Sequence, residues 1–445
     1  MKIYNLPFFI VTLSSILPLI GASLNVNVYH IPFLISVAAI CLVIAKKQEF
    51  VFRKNILTTR IVPVLFLIIV LQVATGRGFV TLAVGGYVII FATIFYEFFS
   101  NGKLNAPVIL VRGISSIYKI LLVGMLLELL VISMGFQHNL TSIFSATHSP
   151  GYKNYNSADV LRWFGVFKDI GGLNSILLGS QIAGMLSLFS TIWFFSVSRL
   201  KWEGIKQSRV KKWMYLSIFL YIVTTNGMNL LLLFIALAVY VWWVSKRKKL
   251  HLFLLVAGFV ILGFLIENGY LLSRVFNTNI VHLQAADIAS AAKVGLLNEM
   301  AEMSTRGYYV LQFASPIIEW LKQDWVNKLI GVGKSFFLNE ENDIAGDFGF
   351  GIGMLSAGML WAVIFSSAVI IKCTQAIKIT GKRWNKGQEW SALAMINAMI
   401  TFLWLASTIH YNQAFANVGG MVIFALHFAV MLFCSDRYLK LNKSA

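Results

Sequence analysis

Two polar stretches in an otherwise apolar chain carry the residues suited to chemistry. The first reads Asp159-Val160-Leu161-Arg162-Trp163-Phe164-Gly165-Val166-Phe167-Lys168-Asp169, then Gly171-Gly172-Leu173-Asn174. The second carries Arg274, then Ser304-Thr305-Arg306 with Tyr308 and Tyr309, then Gly331-Val332-Gly333-Lys334, Asp347 and Gly358. His410 stands at the end of a later apolar run. A guanidinium offers a planar fork of donors that matches phosphate oxygens bidentately, and a lysine offers a mobile point charge. A carboxylate or an imidazole within reach of a hydroxyl can take its proton. These residue types therefore point to stabilising anionic charge and moving a proton.

Each residue also has a plainer reading. Arg306 could pair with Glu302 one helical turn earlier. Arg162 beside Trp163, and Arg274, could be ordinary interfacial charges. Asp347 could cap a helix. His410 could bond Tyr411 or Asn412, and Gly331 and Gly333 could simply be turn residues. Several other chemistries lack their signatures. There is no GxxxxGK[ST] phosphate loop, no HExxH and no CxxC. The seven histidines are scattered. Cys41, Cys373 and Cys434 lie in or beside apolar runs and offer neither a disulfide framework nor metal-ligand spacing. No metal and no cofactor is expected.

The elements that must position these residues are membrane helices. Of 445 residues, 58% are hydrophobic and 12% charged, about half the charged share of a soluble domain. Mean hydropathy is +0.76. Long continuous apolar runs fall at about 6–24, 29–45, 61–75, 79–99, 113–135, 173–197, 214–226, 228–245, 250–267, 351–372, 390–409 and 418–435. Runs of this length predict spanning helices, because lipid leaves the backbone no partner but itself. The expected count is twelve, within a range of eleven to thirteen. Residues 1–24 read as the first helix, their apolar stretch being too long for an ordinary signal core. The acid-poor spans argue against a proton relay through the bundle.

The net charge of +19 is a topology device. Basic residues cluster in alternate connections: Lys46, Lys47, Arg53, Lys54 and Arg60; Arg199, Lys201, Lys206, Arg209, Lys211 and Lys212; Lys246 to Lys249; Lys372, Lys378, Lys382, Arg383 and Lys386. The other connections are poor in them for their length. This is the positive-inside pattern, and it leaves nothing for nucleic acid to explain. Arg112 and Lys119 interrupt the fifth run, so an interfacial turn is expected there, with both side chains reaching the headgroups. Both termini fall on the cytoplasmic side. Two sizeable loops fall outside, at about 136–172 and 267–350. The larger contains helical patterns at 288–302 and 307–325 and carries more acidic than basic residues. The expected fold is all-α: one polytopic transmembrane helical bundle over 1–445 with a large helical periplasmic loop. Loops of that size are where function concentrates.

This layout resembles the O-antigen polymerase (Wzy) and O-antigen ligase superfamily. Arg162-Trp163-Phe164-Gly165-Val166-Phe167 is similar to the Arg-x-x-Gly-x-Phe pattern of its earlier outer loop. Arg306, the Gly331–Gly333 turn, Asp347 and Gly358 are similar to the sequence of features in its large loop. Ligases usually carry histidine where this chain has Asp347, which favours polymerase. The Ser-Arg pair of many members is replaced by Thr224-Thr225-Asn226-Gly227. The resemblance implies a GT-C-like, metal-independent glycosyltransferase of the bacterial inner membrane. Its substrate would be a glycan on undecaprenyl pyrophosphate, and its partners a flippase and a chain-length regulator. Arg306, Arg162 and Arg274, helped by Lys168 and Lys334, would hold the pyrophosphate. Asp347 or His410 would act as base, and Trp163 and Tyr308 would stack on sugar. A ligase of the same superfamily, or a lipid-oligosaccharide flippase, are the alternative expectations.

Overall fold

A computed structural model describes residues 2–24, 31–45, 55, 57–77, 81, 85–102, 104–133, 180–200, 202, 204–224, 232–239, 248–265, 316–333, 349–379, 389–408 and 418–443. Among the described residues the chain is helical and contains no strand. The helices are α1 (Leu6–Leu24), α2 (Ile31–Ala45), α3 (Val62–Ala74), α4 (Tyr87–Asn101), α5 (Pro107–Ser133), α6 (Ser180–Leu200), α7 (Gln207–Thr224), α8 (232–239), α9 (Lys248–Leu265), α10 (316–322), α11 (Trp325–Ile330), α12 (Gly349–Ala357), α13 (Met359–Ile379), α14 (Glu389–Ser407) and α15 (Val418–Lys443). A π-helical turn, Leu57–Ile61, leads into α3.

Each of the twelve apolar runs contains a helix. Among the described residues, five stretches are long and apolar enough to cross a membrane: Leu57–Ala74, Pro107–Leu127, Met359–Ile379, Glu389–Ser407 and Gly419–Leu441. Their surroundings differ. The last two are mostly buried within the bundle, whereas Leu57–Ala74 presents Phe66, Leu67, Val70, Leu71 and Val73 outward. An apolar face left open in this way suits lipid, where tail and side chain are equally apolar.

Helix α15 is the axis of the described bundle. It packs on α14, α4, α1 and α13. Trp404 of α14 stacks on Phe424 of α15 and meets Phe189 of α6, while Phe365 of α13 meets Phe424 edge-on. Interlocking aromatics of this kind fix the helices laterally.

The core also contains one polar linkage. Tyr118 on α5 bonds His427 Nε2 on α15 at 2.7 Å, and His427 Nδ1 bonds Asn397 Oδ1 on α14 at 2.7 Å. Asn397 Nδ2 donates to the Leu393 carbonyl, so its Oδ1 is free to accept. An amide oxygen only accepts, so Nδ1 carries the proton and Nε2 accepts from the tyrosine hydroxyl. All three groups are buried and satisfied, which ties three helices at one register.

Two ends of the bundle can be told apart by contacts. At one, Tyr96 donates to Asp436 at 2.6 Å and Arg437 donates to the Leu104 carbonyl. Buried Glu97 lies there, with Asn55 and Asn101 at 3.4 Å, so the fourth apolar run does carry an acid. At the other end α3 and α14 finish and α12 begins. The fifth run departs from expectation. Pro107 opens one continuous helix that takes in Arg112 and Lys119, with no separate interfacial turn. Tertiary partners explain why: Arg112 donates to the Gly204 carbonyl, and Lys119 sits 5.8 Å over the Trp213 ring.

Candidate functional site

The tenth apolar run is not one helix. It breaks at Gly358, whose φ of +90° is left-handed, so α12 ends at Ala357 and α13 starts at Met359. A side chain at such a φ is strained, which is why glycine stands there. The break releases the last carbonyls of α12, and in a dry setting they need donors. The Gly331–Gly333 turn supplies them. Val332 N–H donates to the Leu355 carbonyl at 3.0 Å, and Gly333 N–H donates to the Ser356 carbonyl at 3.2 Å.

All three glycines are required by close approach as well as by φ, Gly331 and Gly358 against backbone and Gly333 against the Arg77 side chain. A Cβ on Gly331 would stand 2.2 Å from the Ser356 carbonyl oxygen, and one on Gly358 would stand 2.2 Å from that of Leu329. A Cβ on Gly333 would stand 2.2 Å from Cβ of Arg77. The turn residues expected from sequence are therefore a clasp between two distant segments.

Helix α3 completes the clasp. Gln72, buried, donates through Nε2 to the Ile330 carbonyl at 2.7 Å and accepts from Thr81 Oγ1 at 2.7 Å. Arg77, just beyond the helix, donates to Thr75 Oγ1 at 2.7 Å and to Asn327 Oδ1 at 2.6 Å. Asn327 in turn donates from Nδ2 to Asp324 Oδ2 at 2.6 Å. Asp324 also caps α11 by accepting from the Asn327 N–H at 2.9 Å. The Arg77 guanidinium thus reaches a carboxylate through one amide, at the end of the bundle where α11 and α12 meet.

Beside the clasp, Phe350 N–H donates to the Thr408 carbonyl at 2.9 Å, joining the start of α12 to the end of α14. A small cavity lies there, lined by Gly349, Phe350 and Gly353 of α12, Trp361, Ala362, Phe365 and Ser366 of α13, and Leu405 and Thr408. Gly349 and Gly353 stand one turn apart, so their missing side chains open the α12 wall of the cavity. Its walls are chiefly aromatic and aliphatic, and the space they leave is close to that of one water molecule.

The residues singled out for chemistry have a different standing. Arg162, Trp163, Lys168, Arg274, Arg306, Tyr308, Lys334, Asp347 and His410 all lie outside the described residues. In sequence, Lys334 follows Gly333 directly, Asp347 precedes α12 by two residues, and His410 follows Thr408 by two. Among the described residues no group of three His, Cys, Asp or Glu side chains could hold a metal ion. Gln72 and Arg77 were not singled out from the sequence. The signals that could have found them were a lone glutamine in an apolar span, which usually faces protein, and an arginine flanked by Gly76 and Gly78.

No protein-family model, no curated protein and no solved structure matches this chain.

Proposed function

We propose that this chain polymerises lipid-pyrophosphate-linked oligosaccharide repeat units into a surface polysaccharide such as O-antigen or capsule. The reaction would occur at the outer face of a bacterial inner membrane. In this reading the chain is a GT-C-like bundle of about twelve spans with both termini in the cytoplasm, and the clasp end faces outward.

One observation carries the reading. The Gly331–Gly333 turn caps the end of α12 that breaks at Gly358, at the end of the bundle where α3 finishes, and in sequence Lys334 follows that turn directly. The substrate is a prenyl chain bearing a charged pyrophosphate and a glycan. Such a molecule needs cations held at headgroup depth to meet its charge. Arg306, Arg162 and Arg274, with Lys168 and Lys334, are the cations proposed for the pyrophosphate. Asp347 or His410 is proposed to take the proton of the attacking sugar hydroxyl, and Trp163 and Tyr308 to stack on sugar rings. The hydroxyl oxygen bonds to the anomeric carbon of the growing chain as the bond to the lipid pyrophosphate breaks. The leaving group departs as a diphosphate anion. Cations fixed where that charge grows lower the barrier.

The test is complementation. Expressed in its own host lacking the gene, the chain restores a polymer ladder on a gel of extracted polysaccharide, and without it single repeat units remain. Long polymer retained on the carrier lipid in the deletion strain would indicate a ligase instead, and accumulation of untranslocated units would indicate a flippase.

A further inference from the structure

A short helical pair close to the clasp carries exposed apolar side chains. Helices α10 and α11 join at Gln323 and Asp324. Ile317 is 39% exposed, Leu321 56%, Trp325 70% and Val326 47%. The polar groups of the pair are largely occupied with one another. Glu319 pairs with Lys322 at 3.4 Å and accepts from Gln323, Trp320 Nε1 donates to the Lys328 carbonyl, and Lys328 lies over the Trp320 ring. Self-satisfied polar groups and a bare apolar set make an amphipathic element whose apolar side still needs cover.

Its depth is fixed by α3. Gln72 and Arg77 hold Ile330 and Asn327 at the last turn of that helix. The outward apolar side chains of α3 continue as far as Val73, after which the chain becomes Thr75-Gly76-Arg77. A hydrocarbon layer that covers α3 therefore ends at the level where α11 is bonded. Tryptophan is enriched at that boundary, where its ring meets both apolar and wet surroundings.

We infer that α10 and α11 lie in the plane of the bilayer surface, with Ile317, Leu321, Trp325 and Val326 set into the headgroup–acyl boundary of the leaflet in which α3 ends. The occupant of this face is phospholipid. The pair then acts as a float that holds the Gly331–Gly333 turn at headgroup depth. This inference rests on α3 spanning the membrane and on nothing in the proposed reaction.

A depth measurement tests it on the full-length protein in bilayer nanodiscs. Cys41 is the exposed cysteine and is changed to Ala, while Cys373 and Cys434 are buried and stay. Leu321→Cys, and separately Val326→Cys, is then labelled with an environment-sensitive fluorophore. The expected result is blue-shifted emission that iodide barely quenches. Nitroxide lipids should quench it, roughly twice as strongly with the nitroxide at the fifth acyl carbon as at the twelfth, as fits a burial of about 5–10 Å. A Lys322→Cys label on the polar side should instead respond to iodide. Water-like emission with strong iodide quenching at positions 321 and 326 would overturn the inference. Blue-shifted emission insensitive to both quenchers would also overturn it, because protein would then cover the face.

Discussion

Gly331 and Gly358 meet backbone to backbone: a Cβ on either would stand 2.6 Å from the amide nitrogen of the other. The two residues lie on different segments, and both carry left-handed φ values, +83° and +90°. Their contact lets one turn cap the broken end of another helix. It also fixes where α12 ends and α13 begins.

Substitution at the clasp should separate crowding from φ strain alone. Gly331→Ala and Gly358→Ala face both penalties, and each is expected to cost at least about 1–3 kcal/mol. Gly76→Ala carries only the φ penalty, since a Cβ there would meet nothing within 4 Å. It should cost about 1–2 kcal/mol. Thermal unfolding in detergent checks the order; equal losses at all three positions would argue against the clasp.

Gln72→Leu should loosen the clasp locally. It leaves the Ile330 carbonyl and the Thr81 hydroxyl without their Gln72 partner, at about 1–3 kcal/mol for each buried group. Hydrogen exchange should then speed up about tenfold or more over Asn327–Gly333 while α14 stays unchanged. Unaltered exchange over the turn would contradict the role given to Gln72.

The Tyr118–His427–Asn397 linkage is expected to be structural. Tyr118→Phe and Asn397→Leu should each lower stability by about 1–3 kcal/mol. The double variant should lose less than the sum, because both act on one imidazole. Polymer formed per folded molecule should be unchanged. Loss of polymer at full stability would place this histidine in the chemistry.

The helices were legible because long apolar runs leave few other structures in lipid, and each run does contain one. The break at Gly358 was not legible. A glycine inside an apolar run reads equally as helix interior, and only its contact with Leu329 and Gly331 requires the left-handed turn. Gly331 and Gly333 read correctly as turn residues, but their partners are tertiary. His427 looked like one scattered histidine because its partners Tyr118 and Asn397 come from two other helices. Gln72 gives no local sign of its role, its partner Ile330 lying 258 positions away. Arg306, Asp347 and His410 stand out by residue type and neighbours alone, lie outside the described residues, and carry roles that only the reaction tests.

That reaction is the most direct test. The purified full-length chain in nanodiscs is supplied with undecaprenyl-pyrophosphate-linked repeat unit from its own host. Polymer length and released lipid pyrophosphate are then measured together. The account predicts a ladder of products with one lipid pyrophosphate released per bond formed. It also predicts a fall of about a hundredfold or more for Arg306→Ala at unchanged stability. Intact repeat units with no pyrophosphate released, or an Arg306→Ala protein as active as the parent, would contradict it.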